Sequence, residues 1–227
     1  MRADLTVLDK IPLLSLNRGR AQTSFFKGKE AKSAIFKEPA DRALELGYEG
    51  IEGDEQADRV HHGGPDKAVC VYSLVNYPHW EQVLGRQLPF GAFGENFTIG
   101  SSTEEDVCIG DVFRVGTAVV QISQPRVPCW KLAMKWGLDG LPKLVADSGA
   151  TGYYYRVLEP GSVRAGDVLV HDKRHFAGVT VAEVNRILHR NKQDIAGIEQ
   201  LLRLDDVLAR VLLDMLESRL ARLKTGE

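Results

Sequence analysis

The stretch Ile109-Gly110-Asp111-Val112-Phe113-Arg114-Val115, continued by Gly116-Thr117 and Ala118-Val119-Val120-Gln121-Ile122-Ser123, decides the fold class. Both apolar runs are short and rich in β-branched residues, so Asp111–Val115 and Ala118–Ser123 read as strands. Gly110-Asp111 opens the first, and Gly166-Asp167 opens another, Asp167–His171. Glycine accepts a left-handed backbone and aspartate bonds its own backbone, so such pairs suit tight strand entrances. The same pattern repeats outward: Ser33–Phe36, Val69–Tyr72, Val107–Ile109 and Tyr153–Leu158 read as strands broken by Gly, Pro, Asn and Asp. Helices are few and short, at Val75–Leu84, Cys129–Trp136 and Leu141–Ser148. The long strand–helix alternation of a doubly wound sheet is absent. A mainly β protein follows, a closed or nearly closed β-barrel with inserted short helices.

Past residue 176 the period changes. Thr180 and Glu183 have capping-box spacing, and Val181, Val184, Ile187 and Leu188 form an apolar stripe behind them. Asp194–Leu202 is a second short amphipathic helix, and Val207, Leu208, Val211, Leu212, Met215, Leu216 and Leu220 mark a third. The chain thus divides into a barrel domain, 1–176, and a small C-terminal three-helix module, 177–227. So small a module has little core of its own, so it packs on the barrel or on a second subunit, which leaves a homodimer open. Its arginines are interleaved with acids and form no continuous basic face, which argues against nucleic acid.

Composition agrees. The 227 residues are 44% hydrophobic and 26% charged, values of an ordinary globular protein. The 29 basic and 31 acidic residues leave a net charge of -2, so no global attraction to nucleic acid or anionic membrane is expected. No apolar run approaches the ~18 residues of a membrane span. Cys70, Cys108 and Cys129 are sparse and far apart, which suits a reducing compartment, and a cytoplasmic protein is expected.

Chemistry concentrates in three places. Gly53-Asp54 leads through Asp58-Arg59 to His61-His62-Gly63-Gly64-Pro65-Asp66-Lys67, where exposed amides and Lys67 make either an anion cradle or a polar surface hairpin. Adjacent His61 and His62 would face opposite ways along a strand, and Cys70 lies in an apolar run, so a zinc site is poorly supported. Gly91–Phe97 carries Asn96, suited to the edge of a heterocycle or to holding a turn. The third place is Gln124-Pro125-Arg126-Val127-Pro128-Cys129-Trp130, just past a strand end. Two prolines stiffen it, and Arg126 together with a helix start at Cys129 favours a thiolate. The alternative for Cys129 is a packed cap under Trp130. Cys108 reads as structural, and Lys32 and Lys37 are further cations beside Ser33–Phe36.

On these residues the sequence resembles the MOSC family, named for the C-terminal domain of molybdenum cofactor sulfurase, and most closely its YiiM-like bacterial branch. The pieces are Gly50–Ala57, His62–Ala68, Gly91–Asn96, Ile109-Gly110-Asp111 and Ser123–Arg126 with Pro128-Cys129, within a likeness running from Ser33 to Val170. The helical tail resembles the extra module of that branch. The resemblance implies a MOSC-type β-barrel holding a molybdenum cofactor of the molybdopterin type. It places the cysteine that ligates molybdenum or carries persulfide sulfur at Cys129. It implies cofactor binding by His62, Gly63, Gly64, Lys67, Asn96 and Arg126; the stretch Gly152-Tyr153-Tyr154-Tyr155-Arg156, Tyr153 and Tyr155 foremost, is either an aromatic wall for a planar substrate or a plain barrel strand. The implied reaction is reduction of N-hydroxylated bases such as 6-hydroxylaminopurine, with electrons from an external donor protein. The alternative is a module that binds and delivers cofactor or persulfide sulfur without turnover of its own.

Overall fold

A computed structural model describes residues 10–58 and 63–226. The barrel strands are β1 (Lys10–Arg18), β7 (Val69–Ser73), β8 (Phe97–Ile99), β9 (Val112–Val115), β10 (Ala118–Pro125), β11 (Tyr153–Glu159) and β13 (Val168–Lys173). They run in the order β13-β9-β10-β11-β7-β8-β1, and β1 pairs back onto β13 to close the ring. Every pairing in the ring is antiparallel except β7 with β8. Closure leaves no open sheet edge in the ring. Around it lie β2 (Gln22–Phe26) and β3 (Lys29–Ser33), which form a separate hairpin, and β4 (Glu38–Pro39), which extends β1. β5 (Leu44–Gly47), β6 (Gly50–Ile51) and β12 (Gly161–Val163) make a small third sheet.

Side chains alternate across the wall of the ring. Val69, Val71, Tyr153, Tyr155 and Ile122 turn into the barrel core, where the Tyr153 and Tyr155 rings meet edge to face at 5.5 Å. A second cluster covers the outside and includes Tyr72, Trp80, Phe93, Leu132 and Val145. It is supplied largely by α1 (Tyr77–Leu84), α2 (Lys131–Trp136) and α3 (Leu141–Ser148). At the junction, Gly152 has φ 77°, and a Cβ there would stand 2.3 Å from the Val71 carbonyl oxygen, so only glycine lets β11 enter against β7.

Two expected strands take another form. Ser33–Phe36 is strand only up to Ser33; beyond it the chain crosses the barrel wall unpaired, with Ile35 packed in the outer cluster. Val107–Ile109 pairs only as a bridge from Cys108 to Thr180, because its backbone bonds go to the linker at Val179 and Val181. The helix expected from Val75 begins at Tyr77 behind a tight turn that Ser73 caps, with Pro78 in its first turn.

The tail forms α4 (Val181–Asn185), which passes into a wide turn at Arg186–Arg190, then α5 (Ile195–Leu202) and α6 (Arg210–Thr225). Thr180 caps α4 through the Glu183 amide at 3.1 Å, and Asp194 caps α5 through Gly197 at 2.9 Å. The third helix starts later than expected. Val207 and Leu208 are buried in the turn before it, Val211 is 51% exposed, and Leu213 takes an inward place instead. The module's apolar face packs on its own barrel: Val181, Ile187, Leu201 and Leu216 belong to one continuous core with Ile109, Val120 and Phe113. Among the described residues no helix is long and apolar enough to cross a membrane.

This shared core predicts that Leu216→Ala, at a fully buried position, costs about 2–5 kcal/mol. Barrel and module should still unfold in one transition, read by tryptophan fluorescence and circular dichroism during urea denaturation. Separate transitions would show two independent cores.

Candidate functional site

The site lies on the outer face of β7, β10 and β11. Tyr154 and Cys70 are direct cross-strand partners, so both point outward where their neighbours point in. A register shift between Ile122 and Gln124 makes a bulge at Ser123, whose hydroxyl donates to the Asp66 and Tyr154 carbonyl oxygens. Just beyond, the Arg126 amide donates to Gly152 O at 2.9 Å, which carries the Arg126 side chain into the same outer cleft. The crossing segment Ala34–Lys37, the turn Asp54–Ala57 and the loop Phe93–Asn96 wall the cleft, which encloses about 610 Å³ when the space open to solvent is counted.

Arg126 is 6% exposed. Its Nη2 donates to Phe93 O at 2.6 Å, while Nη1 is buried with no partner. Burial opposes its charge, yet neighbouring Cys70, Tyr154 and Cys129 raise its pKa above the ordinary arginine value, so it stays protonated. An unpaired buried donor of full charge costs stability unless an acceptor meets it. Lys131, the first residue of α2, also lines the cleft and makes no hydrogen bond or ion pair among the described residues.

The anionic side is already neutralised. Asp54 pairs with Lys37, their side chains being 5% and 7% exposed, and also accepts from the Gly19 amide at 2.7 Å and from Asn96 Nδ2 at 2.9 Å. Asn96 is fully engaged: its Oδ1 accepts from the Cys70 amide at 3.0 Å, and Nδ2 donates also to Asn17 O at 3.2 Å. Asn96 therefore positions Asp54 instead of offering a free edge to a heterocycle. Lys135 reaches the Ile35 and Gly91 carbonyl oxygens at 3.1 and 2.7 Å, and burial brings its pKa down to about 8.

Cys129 lines the cleft and is half-buried, whereas burial pushes Cys70, at the cleft floor, and Cys108 each up to about 11. The helix expected to start at Cys129 starts at Lys131, and the Leu132 amide turns to the Cys129 carbonyl oxygen at 3.1 Å. The cation that interacts with Cys129 is thus Arg126, with Lys131 lining the same cleft, and the thiol does not sit at a helix start. Trp130 does not cover Cys129 as a buried cap. It is 47% exposed and stacks on Phe26 of the β2–β3 hairpin at 5.8 Å.

Of the residues expected at the site, Lys67, Asn96, Arg126 and Cys129 come together. Burial lowers the Lys67 pKa, against Asp66 and Asp58, which raise it. Gly63 and Gly64 lie in the turn before Pro65, near the cleft but outside its described lining. His62 falls outside the described residues. Tyr153 and Tyr155 belong to the barrel interior, and the ring that faces the cleft is Tyr154. Strand alternation separates Tyr154 from its two neighbours once Tyr153 is placed inside. Lys131 had no such signal. Among the described residues no group of three or more His, Cys, Asp or Glu is arranged to hold a metal ion.

Comparison with known proteins fits this architecture. The profile of the MOSC domain matches residues 58–170, and that of the YiiM-like, 3-alpha helix domain matches residues 179–223. The uncharacterised protein YflK of Bacillus subtilis is 49% identical over 194 residues, 86% of this chain and 88% of that protein. The crystal structure of YiiM from Geobacillus stearothermophilus superposes with a TM-score of 0.79 at 33% identity, covering 92% of this chain and 99% of that one. A protein of Gibberella moniliformis named reductase is 30% identical over 212 residues, which are 92% of this chain but 37% of that protein. With both profiles, the fold and these relatives in agreement, the chain belongs to the MOSC family, in its YiiM-like branch.

Proposed function

We propose that this protein is a molybdenum-cofactor-dependent reductase of N-hydroxylated bases and related N-hydroxylated compounds, 6-hydroxylaminopurine among them. One observation carries the reading: the unpartnered Nη1 of buried Arg126 shares a cleft with the half-buried thiol of Cys129. MOSC domains are associated with molybdenum cofactor binding, and the Gibberella relative named reductase supports redox chemistry.

The residues present fit such a cofactor. A molybdopterin carries a phosphate, which Arg126, Lys131 and Lys67 would hold by charge-assisted bonds. The soft thiolate of Cys129 suits molybdenum already bound by sulfur. When bound, the cofactor supplies the two-electron chemistry that cleaves an N–O bond. The chain's own part is positional. Burial raises the Tyr154 pKa well above the ordinary tyrosine range, so at the cleft floor its hydroxyl stays neutral and serves as a hydrogen-bonding group and not as a general acid. The pair of Lys37 with Asp54 fixes the opposite wall without adding net charge. Electrons come from an external donor protein. The half-exposed Cys129 thiol also favours a second reading, a module that carries cofactor or persulfide sulfur and delivers it.

Expression in a host that makes the cofactor, followed by metal analysis and assay with a chemical reductant and 6-hydroxylaminopurine, tests the proposal. Bound molybdenum and turnover are expected. A folded protein with neither removes the reading, and a transferable sulfur adduct on Cys129 without turnover favours delivery. Cys129→Ser should melt within a few degrees of wild type yet lose about 10- to 100-fold or more in turnover, because a hydroxyl is a poor replacement for the soft ligand. In the cofactor-free protein at pH 8, iodoacetamide should label Cys129 well before Cys70 or Cys108, whose thiols are buried and titrate near 11. Peptide mass mapping reads the order, and equal rates would place Cys129 in an inert environment.

A further inference from the structure

A second groove adjoins the Cys129 cleft and shares Lys37 with it, the Lys37–Asp54 pair standing between the two. It holds about 1250 Å³ of space open to solvent. Its charged lining is Arg18, Arg20, Lys37 and Lys135 against one acid, Glu38. Lys37 is already paired, and Lys135 uses two of its three donors on carbonyl oxygens. The side chains of Arg18 and Arg20 make no hydrogen bond or ion pair among the described residues; Glu52, whose charge Arg18 favours, is held by Arg42 at 2.6 Å.

The Arg18 guanidinium is seated. A Cβ at Gly53, where φ is 75°, would lie 2.8 Å from Arg18 Nη1, so the head group rests on a glycine that makes room for it. Gly53 itself opens the turn that presents Asp54 to the first cleft. The two cavities are thus formed by consecutive residues of one turn. An unoccupied fork of donors on Arg18, backed by Arg20 and the remaining Lys135 proton, matches the oxygens of a phosphate or diphosphate. The protein as a whole has a net charge of -2, so this concentration of positive charge is local.

We propose that the groove binds the phosphate or diphosphate group of a ligand whose other end lies in the Cys129 cleft. The inference rests on the reading of that cleft as a cofactor and substrate site. Two sources share this chemistry: a substrate that is a nucleotide instead of a free base, and a cofactor that carries a nucleotide on its phosphate.

Calorimetry of the full chain with inorganic diphosphate tests the groove without any turnover. Wild type should bind, more weakly as salt is raised, and the double variant Arg18→Gln/Arg20→Gln should bind about tenfold or more weakly. Arg20 is exposed, so Arg20→Glu alone gives the same direction if the double variant is unstable. No binding by wild type, or equal binding by the variants, overturns the proposal. Two further arms assign the source. A KM for the ribonucleoside monophosphate of 6-hydroxylaminopurine below that of the free base, with the advantage lost in the double variant, identifies the substrate. Loss of a nucleotide-bearing cofactor from the double variant, measured by mass spectrometry of the released cofactor, identifies the cofactor. If neither responds, the groove is not joined to the Cys129 cleft and the inference falls. Should N-hydroxylated compounds prove not to be substrates at all, the calorimetry and cofactor retention still decide the groove.

Discussion

The Asp54 carboxylate receives the Gly19 amide, the Lys37 ammonium and the Asn96 side chain together, almost without exposure to water, and the walls of the cleft depend on that convergence. Each partner arrives from a different stretch of chain: the exit from β1, the unpaired crossing after β3, and the loop before β8. The backbone ladders that bring them together, β1 with β8 and β1 with β4, stop beside these residues, and the carboxylate joins the three where the ladders end. A charge in such surroundings has to be matched, and removing one partner of a buried pair typically costs about 3–5 kcal/mol. The network continues outward. Asn17 donates to Thr98, Thr98 to Glu95, and Glu95 accepts the Gly91 and Phe93 amides, which sets the carbonyl that grips Arg126. The free donor of Arg126 is therefore aimed by a chain of polar contacts that begins at Asp54.

Much of this was legible in the sequence, and the exceptions have physical causes. Short apolar strands, two of them with Gly-Asp entrances, announced a barrel, since β7, β9, β10, β11 and β13 each contain an apolar run bounded by turn residues. Cys129 was legible because prolines and Arg126 flank it. What could not be read was sidedness. Tyr153, Tyr154 and Tyr155 have the same composition, and only the register of β11 against β7 decides that the middle ring leaves the core. Asn96 was legible as important but not as fully engaged, because its partners Cys70, Asn17 and Asp54 are distant in sequence. Lys37 and Asp54 each stood out as charged residues; their pairing is tertiary. Val107–Ile109 has the hydrophobicity of a strand, and its neighbour turned out to be the linker to the helices.

The barrel uses its two surfaces for different purposes. Its interior is apolar and continues into the helical module, so stability is concentrated there. The outer face of β7, β10 and β11 carries a cysteine, a tyrosine and an arginine, held by loops instead of by the core. The same strand serves both sides. Ser123, at the bulge in β10, accepts the Ala209 amide on its carbonyl oxygen while its hydroxyl tethers Asp66 beside Lys67. The entry to α6 and the rim of the cleft are thus fastened to one residue, so the helical tail bears on the geometry of the site without lining it.

The pairing of β1 with β13 also governs how the chain can be made. Lys10 lies opposite Val170, so the first described strand waits for the last before the ring can shut. Contacts so distant along the chain are slow to form, and synthesis delivers them in order from the N-terminus. While the ribosome is still adding β11, the polypeptide holds Cys70 but not the wall that will face it; until β13 emerges, the ring beneath them is open. The outer face of β7, β10 and β11 consequently gains a closed ring behind it only when the last barrel strand is in place.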